Sequence, residues 1–135
     1  MRFMMLVIPK GYETAQPDAM PDPKHVAEMM KYNESLAKAG VLLSLDGLLP
    51  PSAGARVSFN NGKPKVTDGP FAEAKECVGG FWMLQVKSRE EAIEWAKRAP
   101  MNDSEMIEVR QVHELSDFPA EVQATAANLE EILGR

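Results

Sequence analysis

Few side chains in this sequence can do chemistry near neutral pH. There are two histidines and one cysteine in 135 residues. His25 falls in the first turn of a predicted helix, at the edge of its apolar face beside Met29, Tyr32 and Leu36. A histidine there can pack its ring while titrating near neutrality, which suits a general acid or base that touches a ligand. The plainer reading is a partly exposed flank residue. His113 follows the last predicted strand and reads as a surface residue.

The second chemical candidate is Asp68, in the segment Thr67-Asp68-Gly69-Pro70-Phe71. Asp, Gly and Pro in succession each restrict the backbone differently, so the segment is one specific turn. Its carboxylate has three open roles. It can cap a short helical segment by accepting from the Phe71 or Ala72 amide, worth about 1 kcal/mol. It can stand at the mouth of a cleft as a proton acceptor or orienter. It can also make a dimer contact. Phe71, Phe81 and Trp82 surround this turn in sequence, and alternation along a strand sends Phe81 and Trp82 to opposite sheet faces. Met29, Tyr32, Phe71 and Trp82 are therefore the candidate ligand-binding side chains, with core packing as the competing role.

Other chemistries lack their signatures. No Cys-x-x-Cys or His-Glu-x-x-His spacing is present, so no metal is expected. There is no Gly-x-Ser-x-Gly elbow, and Gly79-Gly80 is not followed by the lysine and serine of a phosphate loop. No cofactor is expected. The glycine pair reads as a bend or a close backbone approach. Cys77 reads as a structural thiol.

Composition narrows the partners. A net charge of −5 with interleaved signs disfavours nucleic acid and anionic membrane. A lone cysteine forms no intrachain disulfide, which fits a reducing, cytoplasmic setting. The apolar run Met1–Ile8 is far shorter than the roughly 20 residues of a membrane span and lacks the features of a leader. It reads as a buried strand.

The positioning elements follow from periodicity and punctuation. A strand over Arg2–Ile8 precedes a long Pro- and Gly-containing connection. Asp22-Pro23 opens a helix with the predicted apolar face Val26, Met29, Met30, Asn33 and Ala37, ended by Gly40. Val41–Leu45 is a strand, and Asn61-Gly62 between Ala55–Phe59 and Pro64–Thr67 is a hairpin signal. A helical turn is expected over Ala72–Glu76. Phe81–Val86 is the most apolar strand and so central. A capping box at Ser88 and Glu91 opens a second helix through Arg98, and Met106–Val112 is the last strand. This order implies an α+β, ferredoxin-like plan over residues 1–115 with an inserted hairpin. Helices on one face leave the other sheet face for a second copy, so a homodimer is expected. Pro119–Leu133 reads as one amphipathic helix with Val122, Ala126, Leu129, Ile132 and Leu133 on its stripe. As residues 116–135 form too short a helix to stand alone, it should dock on its own domain or across the dimer.

The sequence resembles the YCII-related family, in the subgroup named for its Asp-Gly-Pro-Phe turn. The resemblance rests on Arg2-Phe3-Met4-Met5, Lys31-Tyr32-Asn33-Glu34, Ala39-Gly40-Val41-Leu42 and Asp46-Gly47-Leu48. It continues through Thr67–Glu73, Gly79-Gly80-Phe81-Trp82 and Glu91-Ala92-Ile93-Glu94-Trp95. It implies a ferredoxin-like fold pairing through its sheets into a dimeric α+β barrel. Some similar proteins neighbour extracytoplasmic-function sigma factors, which implies a regulatory or accessory setting. Related proteins include an enzyme of chlorinated-aromatic breakdown with a His–Asp pair. Its histidine opens the first helix, as His25 does here. Its aspartate precedes a proline after the second helix, where this chain has Ala99 before Pro100.

Two functions therefore stand. One is a cytoplasmic dimer with a small-molecule pocket, performing cofactor-independent proton transfer or elimination with His25, and Asp68 orienting it or the substrate. The other is a non-enzymatic regulatory dimer.

Overall fold

The computed structural model describes residues 1–72 and 75–134. Its main sheet has the order β2-β5-β1-β6, built from β1 (Arg2–Ile8), β2 (Leu42–Gly47), β5 (Gly80–Gln85) and β6 (Met106–Gln111). Every neighbouring pair is antiparallel, and the most apolar strands, β1 and β5, take the centre. Helices α1 (Pro23–Lys38) and α2 (Arg89–Lys97) join β1 to β2 and β5 to β6. This antiparallel α+β arrangement is compatible with a ferredoxin-like fold.

The register explains the core. Met5 lies opposite Trp82 on one side and Val109 on the other, and Phe3 lies opposite Leu84. These residues share the face toward the helices, where Phe3, Met5, Trp82 and Leu84 are buried against Tyr32 and Leu36 of α1 and Ala92 of α2. Burying each large side chain contributes about 1.5–3 kcal/mol. On the other face Met4, Leu6, Phe81 and Met83 alternate with them and remain half-buried.

Helix α1 begins as its sequence dictates. The Asp22 carboxylate accepts from the Lys24 amide at 3.0 Å, Pro23 fills the first position, and Gly40 follows the helix at φ 75°. Its buried face differs from the one expected. Tyr32 and Leu36 are the fully buried positions, with Met29 packed against the core, whereas Met30 is 55% exposed. The stripe is rotated because Tyr32 and Leu36 bring more apolar area than Val26 and Ala37, and area decides which face turns inward. In α2, Ser88 Oγ accepts from the Glu91 amide, and Glu91 reaches back to the amide of Lys87.

Strands β3 (Ala55–Asn60) and β4 (Lys63–Asp68) form a separate two-stranded sheet, turning through Asn61 and Gly62 at positive φ. All of its strand residues are exposed. At its base the Gly69 amide donates to Gly54 O at 2.9 Å, and the Gly69–Pro70 bond is cis. A Cβ on Gly69 would lie 1.7 Å from the Pro51 carbonyl oxygen, so only glycine permits this approach. The helical turn expected over Ala72–Glu76 includes Glu73 and Ala74, which lie outside the described residues.

The C-terminal segment differs from the single helix expected. It forms α3 (Ala120–Thr125) and α4 (Ala127–Leu133), divided at Ala126. Thr125 Oγ1 donates to Val122 O at 2.6 Å, and the Ala126 amide bonds to Gln123 O, three residues back. A threonine bonding back to its own helix tightens and bends it. The apolar positions Val122, Leu129, Ile132 and Leu133 all remain exposed in the single chain.

Candidate functional site

Where β5 begins, Gly79 and Gly80 let three segments converge. A Cβ on Gly80 would come within 2.8 Å of Asp46 O in β2, and one on Gly79 within 2.9 Å of the Pro9 ring. The Gly79 amide donates to Val7 O and its carbonyl accepts from Leu48, tying β1 and the end of β2 together. Above this junction lies a cavity of about 250 Å3. Helix α1 supplies Met29, Met30 and Asn33, β2 supplies Leu45 and Asp46, and β5 supplies Trp82 and Phe81. Trp82 and Phe81 point to opposite sheet faces, and the Trp82 side chain is the one directed toward α1.

Its polar equipment is sparse and oriented. The Trp82 indole donates to Asn33 Oδ1 at 2.7 Å. That bond fixes which end of the amide faces the indole. The other end, Asn33 Nδ2, has a thioether contact with Met30 at 3.7 Å, a weak acceptor for a strong donor. Asp46 lies opposite Phe81 in the register, so its side chain belongs to the other sheet face, and its backbone carbonyl is what approaches Gly80 beside the cavity. The site therefore offers one amide N–H at its solvent-exposed rim beside mainly apolar walls.

Tyr32 stands behind this wall. Its ring meets Trp82 edge-on at 5.3 Å, and its hydroxyl donates to Trp95 O at 2.5 Å. Burial pushes its phenol up to about 12, with the Arg98 cation pulling weakly the other way. Tyr32 is thus a neutral donor that braces Trp82 rather than a cavity base.

Of the ligand-binding candidates, Met29 and Trp82 meet in the cavity. Phe71 belongs to a different cleft, with Pro51, Cys77 and Arg56, whose guanidinium lies over its ring at 4.0 Å. Asp68 ends β4, exposed, and among the described residues it accepts no hydrogen bond from Phe71 or Ala72. His25 is half-buried and lines a shallow groove with Asp22, Lys24, Glu28 and Asn102, of which Asp68 is not part. Asn102 comes from the loop after α2, so that loop does reach His25, though it brings an amide. Ala99 instead lines an open depression of about 600 Å3 between α2 and β6. That depression is larger than the α1 cavity, but its width and mixed lining give a ligand little enclosure.

Asn33, Asp46 and Asn102 were missed as site residues. Asn33 did carry a signal, because an asparagine inside an apolar stripe is a polar group that needs a buried partner. Asp46 and Asn102 sit in a strand end and a loop with no pattern to mark them. Among the described residues no group of three or more His, Cys, Asp or Glu could hold a metal, and no helix is long and apolar enough to cross a membrane.

Fold and cavity together define a small α+β domain of antiparallel sheets with a mainly apolar recess between its first helix and one end of its main sheet. Residues 1–116 match the YCII-related domain, and the chain belongs to that family. It is also similar to an uncharacterised protein of Rhizobium meliloti (strain 1021), 32% identical over 76 residues, or 56% of this chain and 61% of that protein. The match thus spans less than two thirds of that relative's length.

Proposed function

We propose that this chain is a cytoplasmic homodimer of the Asp-Gly-Pro-Phe subgroup that binds a small, largely apolar molecule in the cavity beside α1. In this reading the fold is ferredoxin-like, with the β3–β4 hairpin inserted. The observation that carries it is the Asn33 amide, held by the Trp82 indole with its Nδ2 left beside a weak acceptor. A carbonyl or similar acceptor on the ligand would satisfy that donor. The volume lies below the roughly 300–1,000 Å3 of drug-sized sites, which favours a single-ring molecule. Phe81 belongs to the open sheet face, where a second copy would pack against it. The half-buried Met4, Leu6 and Met83 make that face apolar enough for such packing.

The test is a thermal-shift screen of neutral single-ring compounds bearing one carbonyl, repeated on Met30→Trp. Met30 is 55% exposed, so the larger ring fills the cavity without disturbing the core. Compounds should raise the melting temperature of the native chain and lose that effect in the variant. Equal shifts in both would remove the cavity from the account.

A second reading keeps proton transfer or elimination at His25, favoured by the carboxylates of Asp22 and Glu28 around its groove. There His25→Ala would abolish turnover while leaving binding in the α1 cavity unchanged. Turnover that survives the substitution excludes it.

A further inference from the structure

A glycine within a strand loses backbone freedom and packs no side chain, so its presence there calls for a reason. Strand β2 ends on one, Gly47. Its torsions are those that other residues adopt, since it is not among the glycines at positive φ. No close approach demands it either. Beyond its chain neighbours, a Cβ built on Gly47 would meet nothing within 4 Å, whereas one on Gly80, its partner in the register, would strike Asp46 O at 2.8 Å. Gly80 is therefore required by the fold. Gly47 is not.

The register shows where the missing side chain would project. Leu45 lies opposite Trp82, Asp46 opposite Phe81 and Gly47 opposite Gly80. Trp82 faces α1 and Leu45 packs on the core, so alternation sends position 47 to that same face. Gly47 also lines the cavity beside α1. It stands two residues beyond the level of Trp82, about 7 Å along the strand. At the Trp82 level Asn33 accepts from the indole and holds its Nδ2 at the rim. The recess thus runs from an amide donor at one end to bare backbone at the other. An apolar cavity of about 150 Å3 takes up benzene. The cavity here, of about 250 Å3, holds one ring with an acyl group and little more.

We infer that Gly47 is the specificity-determining position of this cavity: the side chain it lacks leaves the space for the far end of a ring whose carbonyl meets Asn33. The inference rests on the cavity reading proposed above and adds the orientation of the ligand. The acyl group lies toward α1 and the opposite ring edge lies over the Gly47 backbone. The class that fits is an aryl ketone or aryl amide without a bulky group opposite its carbonyl.

The test measures dissociation constants of acetophenone and 4-methylacetophenone by NMR titration for the native chain, Gly47→Ala and Gly47→Val, with the melting temperatures of the free proteins in parallel. Gly47→Ala should weaken 4-methylacetophenone more than acetophenone, and Gly47→Val should weaken both by about tenfold or more. The free variants should melt no lower than the native chain, because alanine and valine accept these torsions and restrict the unfolded chain. Stability therefore holds or rises while binding falls, which a merely structural glycine would not produce. A Gly47→Ala chain that melts lower shows a glycine needed by the fold and overturns the inference. Native-like binding of both ketones by Gly47→Val overturns it too, and the cavity reading survives if Met30→Trp still abolishes binding. A native chain that binds neither ketone overturns both.

Discussion

Replacing Tyr32 by Phe removes a single hydroxyl whose surroundings are fully specified, so its cost can be worked out. The hydroxyl donates to Trp95 O at 2.5 Å. That carbonyl also accepts from the Arg98 amide at 3.1 Å, so the substitution does not orphan it. The loss is then the net value of one hydrogen bond, about 1 kcal/mol, without the further penalty of an unpaired buried acceptor. The same hydroxyl sets a pH dependence. Burial raises the Tyr32 phenol to about 12 in the folded chain, against about 10 when unfolded. The unfolded chain loses this proton first, so its contribution is fully present below about pH 10 and falls as pH rises toward 12. The limiting slope is about 1.4 kcal/mol per pH unit, and partial solvent access reduces it to roughly half. Tyr32→Phe lacks this slope, while the other groups titrate equally in both proteins. Urea unfolding followed by tryptophan fluorescence at pH 8 to 11 should show a gap of about 1 kcal/mol that closes toward pH 11. A gap that stays constant across that range would refute the reasoning, because it would mean that the hydroxyl is equally hydrated in both states.

Two further outcomes follow from other contacts. Gly69→Ala should destabilise the fold by about 1–3 kcal/mol, since its Cβ would meet backbone at Pro51, read as a lower urea midpoint. An unchanged midpoint would show that the turn does not press on Pro51. The Arg2 guanidinium donates to both carboxylate oxygens of Glu114 and holds its carboxyl below the usual 4.5, so the pair stabilises above that pH and is lost as acid protonates it. Glu114→Gln should therefore flatten the acid limb of a melting-temperature profile, and superimposable limbs would mean that the pair contributes nothing.

Much of the frame was legible in the sequence because it is set by local rules. Asp22-Pro23 and Gly40 bound α1 through cap chemistry, and Asn61-Gly62 turns the hairpin through positive φ, whatever the rest of the chain does. The rotation of α1 was missed because Val26, Met30 and Tyr32 all satisfy a helical period, and a count of period does not weigh the larger apolar area of Tyr32 and Leu36. The break at Thr125 depends on a side chain bonding its own backbone, which a periodicity count ignores. The site divides in the same way. Trp82 and Met29 were found because large apolar groups on known faces must meet. Asp46 and Asn102 were not, because a strand register and a loop path bring them in.

The Asp-Gly-Pro-Phe segment shows why sequence signature and chemical site separate here. Its glycine is required by the Pro51 carbonyl, its amide holds Gly54, and its phenylalanine carries the Arg56 cation. Each of these contacts fixes the base of the hairpin, and none lines the cavity beside α1. A motif with three such constraints is hard to change for structural reasons alone. Its demand on sequence therefore argues for the placement of the hairpin and gives no support to a catalytic aspartate. Asn33, by contrast, lines that cavity while its Oδ1 gives the buried Trp82 indole the acceptor it needs.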